Sequence, residues 1–223
     1  MSTTPSPPAD LRSYRAIHVA LRQAAHAMAA AAPGLDDADP RRRRAFSRYW
    51  KGYAGEVLAH HTTEDDVVFP ALVARAPQVA TLLEQLDADH HHLDALMADI
   101  GAATSRVAGG ADAAALGALL RQLADHMDQH LAAEDAEILP LLEQHFTHDE
   151  FAELEAKALE IIGLGAQAAF TIPFVAASVD DAMRAHLLGS APLPVRAIFR
   201  LGRGRHARLA ELALGATRPA VAA

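Results

Sequence analysis

The chain has 223 residues, of which 51% are hydrophobic and 5% aromatic, and its formal net charge is −8. It contains no cysteine, which excludes disulfides, zinc–thiolate sites, iron–sulfur clusters and cysteine nucleophiles. The negative charge argues against nucleic acid as a partner, and abundant alanine with few aromatic residues argues against an all-β fold.

The amino end, residues 1–10, is rich in proline and serine and has no apolar core. This composition predicts a disordered leader rather than a signal peptide. A cytoplasmic location is therefore the expectation.

Four helices are predicted between residues 11 and 146, because apolar residues recur there at helical spacing. They cover about residues 10–32, 41–75, 78–107 and 112–145. The segments PGLDDADP and AGGADA separate them, and Pro70 and Pro77 are predicted to end or kink the second helix. The pattern predicts an all-α fold, an up-down four-helix bundle.

One motif occurs twice in this region. His60-x-x-x-Glu64 and His130-x-x-x-Glu134 are offset by 70 residues, and each has Asp after the glutamate and Pro six residues after it. A His at i and a Glu at i+4 lie on one helix face, so nitrogen and carboxylate project together. The alternative is an exposed ion pair, but the repetition favours a metal site with mixed nitrogen and oxygen ligands.

The predicted turns add two histidines to this site. His18 and His60 are equidistant from the first break, and His90 and His130 are equidistant from the AGGADA break. In antiparallel hairpins, residues equidistant from the turn meet at one level. Each hairpin therefore supplies two histidines and one glutamate at a common depth.

The chain has 13 histidines, and most are predicted to lie outside the site. His90 is in phase with the apolar stripe of its helix, whereas His91 and His92 are rotated away from it by about 100° per step and are predicted to be solvated. The others interpreted as surface or capping residues are His26, His145, His148, His186 and His206.

Two sets of two histidines and a carboxylate suit two metal ions bridged by carboxylate and by a water-derived oxygen. This ligand type leaves iron open positions for oxygen chemistry, so iron is the first choice and manganese the second. Zinc usually prefers a single tetrahedral site and is ranked below both.

The six residues in this pattern resemble the hemerythrin-like, or HHE cation-binding, domain, over residues 11–146. The resemblance implies an up-down bundle with two iron ions joined by an oxo or hydroxo bridge, with the glutamates as further bridges. The ligands that it implies are His18, His60, Glu64, His90, His130 and Glu134.

The chain departs from the oxygen-carrying hemerythrins at two positions. Asp94 stands where they have a second third-helix histidine, and Glu134 replaces their final aspartate motif. We therefore expect fewer nitrogen ligands and more open coordination.

Additional donors share faces with the motifs. Tyr53 is a candidate anionic ligand, while Glu56 and His126 occupy the same repeat position. His61, with Asp65 one turn later, is an alternative to His60, although only His60 obeys the repeat.

Two functional hypotheses follow. The first is a centre that reacts with O2, peroxide or nitric oxide, as a sensor or as a catalase-like enzyme acting against oxidative stress. The second is a non-enzymatic module that stores, senses or buffers iron or oxygen. In a third hypothesis, ranked lower, the bundle is an accessory domain and the apolar tail is the element that interacts with a partner.

The tail, residues 147–223, is predicted to be a helical extension. Ile161–Val179 carries no charge over 19 residues. This length allows a membrane span, but its glycines and Pro173 favour a buried helical hairpin. From Ala191 the sequence predicts short basic helices separated by Pro and Gly, which pack on the bundle or mediate self-association or a protein contact.

Overall fold

The computed structural model describes residues 6–217, and within them the chain is helical throughout except for turns and one antiparallel bridge between Pro8 and Thr147. The bundle comprises α1 (Arg12–Ala31), α2 (Pro40–Thr63), α3 (Phe69–Arg75), α4 (Ala80–Ala108), α5 (Ala114–Ala133) and α6 (Leu139–His145). The extension comprises α7 (His148–Ile162), α8 (Ala168–Ser178), α9 (Asp181–Ser190) and α10 (Leu193–Leu214).

The bundle has the predicted up-down arrangement. Helix α1 packs against α5, and α4 packs against both α5 and α2. A large apolar cluster fills its interior and includes Leu21, Phe46, Ile100 and Leu120, each at most 1% exposed. The all-α four-helix prediction is confirmed.

Local chemistry sets the turns between the long helices. Asp39 caps α2, because its Oδ1 accepts hydrogen bonds from the backbone N–H groups of Arg41 (2.7 Å) and Arg42 (2.9 Å). Pro40 occupies the first helical position, where its missing N–H costs nothing. Gly110, with φ of 106°, closes the turn after α4 in a conformation that favours glycine.

Both glutamates of the repeated motif begin a π-helical turn. The turns Glu64–Val68 and Glu134–Ile138 join α2 to α3 and α5 to α6. Each precedes a proline at the second position of the next helix, and a proline cannot donate the ordinary helical hydrogen bond. The predicted second helix therefore continues through Pro70 as α2, the π-helical turn and α3, and it ends at Arg75, shortly before Pro77. Pro70 accompanies a widened turn of a kind often found at functional sites.

The extension docks on α2 through two glycines. A Cβ at Gly52 would lie 2.3 Å from the Phe170 ring, and one at Gly55 would lie 2.2 Å from Gln167 Oε1. Gln167 Nε2 also donates to the Gly52 carbonyl at 3.0 Å. Helix α10 then packs against both α2 and α8. The glycines thus allow the close approach of α8.

Three predictions for the tail need correction. Ile161–Val179 contains only the last two residues of α7, then a turn and α8, so it does not form a helical hairpin of its own. Gly163, with φ of 73°, ends α7. The basic segment is one 22-residue helix, because Pro192 and Pro194 stand at its start, where proline is tolerated. Its Gly202 packs close to α8, where a Cβ would lie 2.9 Å from Pro173. His206 is buried against Phe170 and other aromatic rings rather than exposed.

Among the helices of residues 6–217, none combines the length and the apolar character needed to cross a membrane.

Residues 1–5 of the predicted leader lie outside the described residues. Residues 7–9 run beside the start of α7, where the His148 N–H donates to the Pro7 carbonyl at 2.8 Å and the Ala9 N–H donates to the Phe146 carbonyl at 3.1 Å. The predicted disorder therefore does not reach these residues, because this backbone is paired and Ala9 is buried.

Candidate metal centre

The six residues predicted as ligands meet in the interior of the bundle, each at most 5% exposed. Helices α1 and α4 each contribute one histidine, whereas the ends of α2 and α5 each contribute a histidine and the glutamate that opens the π-helical turn. The set is His18, His60, Glu64, His90, His130 and Glu134.

Glu134 lies between the histidines of the two hairpins. Its Oε2 is 3.2 Å from Nε2 of His18 and 3.7 Å from Nε2 of His60. Its Oε1 is 2.9 Å from Nε2 of His130 and 3.7 Å from Nε2 of His90. Each carboxylate oxygen therefore faces a different pair of imidazoles.

Glu64 also lies between histidines of the two hairpins. Its Oε1 is 3.4 Å from Nε2 of His60, and its Oε2 is 3.5 Å from Nε2 of His90. The hydroxyl of Tyr14 donates a short hydrogen bond to Oε1. Each of the two carboxylates thus contacts histidines of both hairpins, whereas the sequence pattern predicted one carboxylate for the histidines of each hairpin.

The donor atoms form two neighbouring groups, each compact enough to surround a cation. One contains His18, His60, Glu64 and Glu134, and the other contains His61, His90 and His130; within each group the donor atoms lie within 4.8 Å of one another. The second group contains a histidine that the repeat does not predict, since Leu131 occupies the position corresponding to His61.

His61 belongs to the centre together with His60, and does not replace it. Because successive residues of a helix are rotated by about 100°, the two histidines face different neighbours of α2. The ring centroid of His60 is 5.1 Å from that of His18 on α1, while the ring of His61 stacks on His90 of α4 at 3.9 Å.

This placement corrects the expectation of a shortage of nitrogen donors. Asp94 is exposed and contributes nothing to the centre, but the buried His61 supplies a nitrogen on the same side as His90. The two groups therefore contain five imidazoles.

Three aspartates fix the orientation of the histidine rings. Nδ1 of His18 is 2.8 Å from Oδ1 of Asp135, Nδ1 of His90 is 3.0 Å from Oδ1 of Asp65, and Nδ1 of His130 is 2.9 Å from Oδ2 of Asp89. A carboxylate at one ring nitrogen selects the tautomer that leaves the other nitrogen free to bind metal. In each case Nε2 is left facing the centre.

The buried polar atoms show that the donor set fits cations. Nine of its atoms make no hydrogen bond with any described residue, although buried polar groups are normally paired. They are Nε2 of His18, His60, His90 and His130, both ring nitrogens of His61, Oε2 of Glu64 and both carboxylate oxygens of Glu134. Atoms that converge without bonding to each other are arranged as ligands of a further species.

The electrostatics differ among the histidines of the donor set. Although their rings are buried, the neighbouring Asp135 and Glu134 raise the pKa of His18, and Asp65 and Glu134 raise the pKa of His90 to about 10. Burial lowers the pKa of His60 to about 4 and that of His61 to about 2, which favours the neutral imidazole that metals bind. Burial and the charge of Glu134 raise the pKa of Glu64. Glu134 is also buried, but its four histidine neighbours hold its pKa well below the ordinary value. A multivalent cation would replace the protons of this cluster and stabilise both carboxylates in their charged forms.

The remaining predicted donors lie around the centre or away from it. Tyr53 is fully buried in the large apolar cluster, and burial raises its pKa, which opposes the anionic role considered for it. His126 is half-buried, with Nε2 3.1 Å from the same Asp89 oxygen that contacts His130. Glu56 is buried and accepts a short hydrogen bond from Thr171.

Several functional residues were not identified from the sequence. Asp135 was recognised only as part of the repeat, and Asp65 only as part of the repeat and as the partner of His61 in the alternative ligand pair. Their matching positions, one residue after each glutamate, were the signal for a shared role. Tyr14 lies one turn before His18, at a spacing that predicts only a place on the apolar face of the first helix. Asp89 carried no signal, because it lies beside His90 in sequence yet contacts a histidine of another helix.

A family model described as Hemerythrin HHE cation binding domain matches residues 10–142, more than half of the chain, and matches again over residues 81–187. The first match contains every residue of both donor groups. The second begins in α4 and overlaps the first in the second hairpin, as an internal repeat would produce. No curated protein and no solved structure matches the chain significantly.

Proposed function

Because the chain belongs to the hemerythrin HHE cation-binding domain family, we propose that it is a non-haem di-iron protein whose centre binds or reacts with O2, a peroxide or nitric oxide. The family and the two buried donor groups make it a metal-binding module. The choice of iron and of the small molecule is the further step.

The observation that carries this proposal is the position of Glu134 between two groups of histidines. A carboxylate with one oxygen 3.2 Å from His18 and the other 2.9 Å from His130 is placed to bridge two cations. Glu64 offers a second bridge of the same kind. A site for a single ion would need neither the second carboxylate nor the fifth imidazole.

The donor types favour iron. Imidazole suits iron, zinc, copper and nickel, whereas mixed imidazole and carboxylate sets with open positions are typical of non-haem iron. Manganese is the second choice, and zinc the third, because zinc usually takes four ligands at one site. When bound, the iron pair would supply the redox change and the open coordination positions.

The protein's own residues would prepare the centre for this chemistry. Asp65 and Asp135 hold His90 and His18 in the orientation that directs Nε2 inward. The hydroxyl of Tyr14 donates a hydrogen bond to Oε1 of Glu64, and burial together with Glu64 and Glu134 raises the pKa of Tyr14. The tyrosine therefore remains a hydrogen-bond donor at the edge of the site, and the apolar packing excludes water.

Metal analysis with an absorption spectrum tests the proposal directly. We expect about two iron ions per chain and ligand-to-metal absorption bands in protein purified without added metal. Exposed His91, next to His90, offers the control: His91→Ala should keep both ions, whereas Glu134→Ala should lose them. Less than about one iron or manganese ion per chain would refute the proposal.

Peroxide turnover separates the enzyme from a module that only binds. Turnover by the iron-loaded protein on the order of tenfold above free iron, and its loss in Glu64→Ala, would support a detoxifying enzyme. A stable oxygen or nitric oxide adduct without turnover would identify a non-enzymatic binding or sensing module.

A further inference from the structure

A cavity lies against the metal centre, between the bundle and the C-terminal extension. Its volume is about 300 Å³, at the lower end of the range for small-molecule sites. Helices α1 and α2 form the inner wall, and the end of α7, the following turn and α8 form the outer wall. Of the residues assigned to the metal centre, His60 and Tyr14 line this cavity.

The outer wall is the uncharged stretch that the sequence singled out. Ile162, Leu164, Ala168 and Ile172 line the cavity and come from Ile161–Val179. Ile17, Ala59, Leu159 and Val195 add further apolar side chains to the lining. The stretch is therefore uncharged because it encloses an apolar space.

Several large apolar residues at this wall are also open to solvent. Leu159 is 39% exposed, Ile162 is 38% exposed and Leu164 is 43% exposed. Exposed apolar residues add little to the stability of a fold, and where they group at the mouth of a cavity they mark an entrance for an apolar ligand. The cavity is thus accessible from outside the bundle.

The cavity also has polar lining residues, and Glu56 is the carboxyl group among them. Glu56 is only 3% exposed, and its Oε2 accepts a short hydrogen bond from Thr171. Gln167 supports the threonine, with Nε2 donating to Thr171 Oγ1 at 3.1 Å. Burial raises the pKa of Glu56, which favours the uncharged carboxyl and hence a neutral partner.

The polar residues also mark where the cavity meets the metal centre. His60 and Tyr14 line the cavity and belong to the centre, His60 as a donor and Tyr14 through its hydrogen bond to Glu64. A molecule inside the cavity would therefore have its polar end near these residues and its apolar body against α8.

We propose that this cavity is a binding site for a neutral alkyl compound with one terminal hydroxyl or hydroperoxyl group. Its chain lies against the apolar wall of α7 and α8, and its oxygen end hydrogen-bonds near Glu56. Where the proposed function holds, the site selects an organic ligand for the metal centre. The binding itself does not depend on metal.

Titration calorimetry of the full-length protein with 1-octanol tests the site, with metal present and after its removal. We expect saturable binding of one octanol per chain in both forms and no comparable binding of ethanol, octanoate or octylammonium. Ethanol lacks the alkyl body, and the two ions place a charge in an apolar space. Absence of saturable octanol binding would overturn the proposal.

Two variants locate the ligand. Ala168→Leu fills the cavity and should weaken octanol binding by about tenfold or more, whereas Ala169→Leu, at the exposed neighbouring position, should leave it unchanged. Glu56→Leu should weaken octanol by roughly tenfold while favouring 1-fluorooctane. Equal octanol affinity in Ala168→Leu and wild type would show that the alcohol binds elsewhere and would refute the site.

The same measurements separate this proposal from the proposed function. A chain that binds octanol but no metal would refute the di-iron function and leave the cavity site intact. A chain that binds two iron ions but no octanol would do the reverse.

Discussion

Asp65 and His90 belong to different helical hairpins, yet Oδ1 of Asp65 lies 3.0 Å from Nδ1 of His90. Asp135 and His18 have the same relation with the hairpins exchanged, at 2.8 Å. Each hairpin therefore orients the first histidine of the other. Neither hairpin can complete the centre alone, so metal binding and assembly of the bundle are coupled.

Replacing these aspartates should weaken metal binding without removing a donor from the centre. We expect Asp65→Asn and Asp135→Asn each to lower metal affinity by about 10- to 100-fold, because the amide no longer selects the ring tautomer. Competition with a chelator measures this change. Asp66→Asn, an exposed position on the same π-helical turn, is the matched control, and an equal loss there would contradict the orienting role.

Loss of His61 should affect one side of the centre more than the other. In the His61→Ala variant, the group on that side keeps only His90 and His130. We expect roughly one tightly bound ion per chain instead of two, measured by metal analysis after dialysis. Two ions with unchanged affinity would show that His61 only packs against His90.

Removal of metal should destabilise the fold. A ligand present at about 100 times its Kd stabilises the native state by about 2.7 kcal/mol, and without it Glu64 and Glu134 remain buried beside each other with no cation between them. We expect a chelator to lower the free energy of unfolding of the wild-type protein by at least this amount in urea titrations. Glu134→Ala, which cannot bind metal normally, should not respond to the chelator.

The glycines under α8 should tolerate no side chain. Gly52→Ala places a Cβ 2.3 Å from the Phe170 ring, so the extension must shift, at a cost of about 1–3 kcal/mol in the free energy of unfolding. Gly189→Ala lies in α9 with nothing within 4 Å and should be neutral or stabilising by about 0.5 kcal/mol. Thermal or urea unfolding compares the two, and equal effects would show that α8 does not need this close approach.

The contact between Arg75 and Glu150 predicts a pH dependence of stability. The hydrogen bonds from Arg75 lower the pKa of Glu150 from 4.5 to about 2. A group with a lowered pKa in the folded state contributes stability above its ordinary pKa and loses it as the pH falls. The contribution should therefore be complete at pH 7 and disappear between about pH 4.5 and pH 2.

Unfolding of wild type and Glu150→Gln at several pH values measures this contribution. The two curves should differ at pH 7 and converge near pH 2, and added salt should reduce the difference because the pair is exposed. Glu153→Gln, an exposed position of the same helix, should follow the wild type. A difference that persists at pH 2 would exclude the ion pair as its cause.

The sequence by itself determined the bundle and most of the centre. Residues four apart lie on one helix face, and residues equidistant from a turn lie at one level, so the spacing of His18, His60, His90 and His130 was enough to bring them together. The repeat also identified Glu64 and Glu134 as the carboxylates between them.

Only the tertiary structure decided which helix each side chain faces. Spacing gives the rotation of a residue on its own helix but not the neighbours on either side of that helix. Helix α2 contacts both α1 and α4, so two successive histidines, His60 and His61, can both face the centre from different sides. For the same reason the sequence did not predict the pairing of Asp65 and Asp135 with a histidine of the other hairpin.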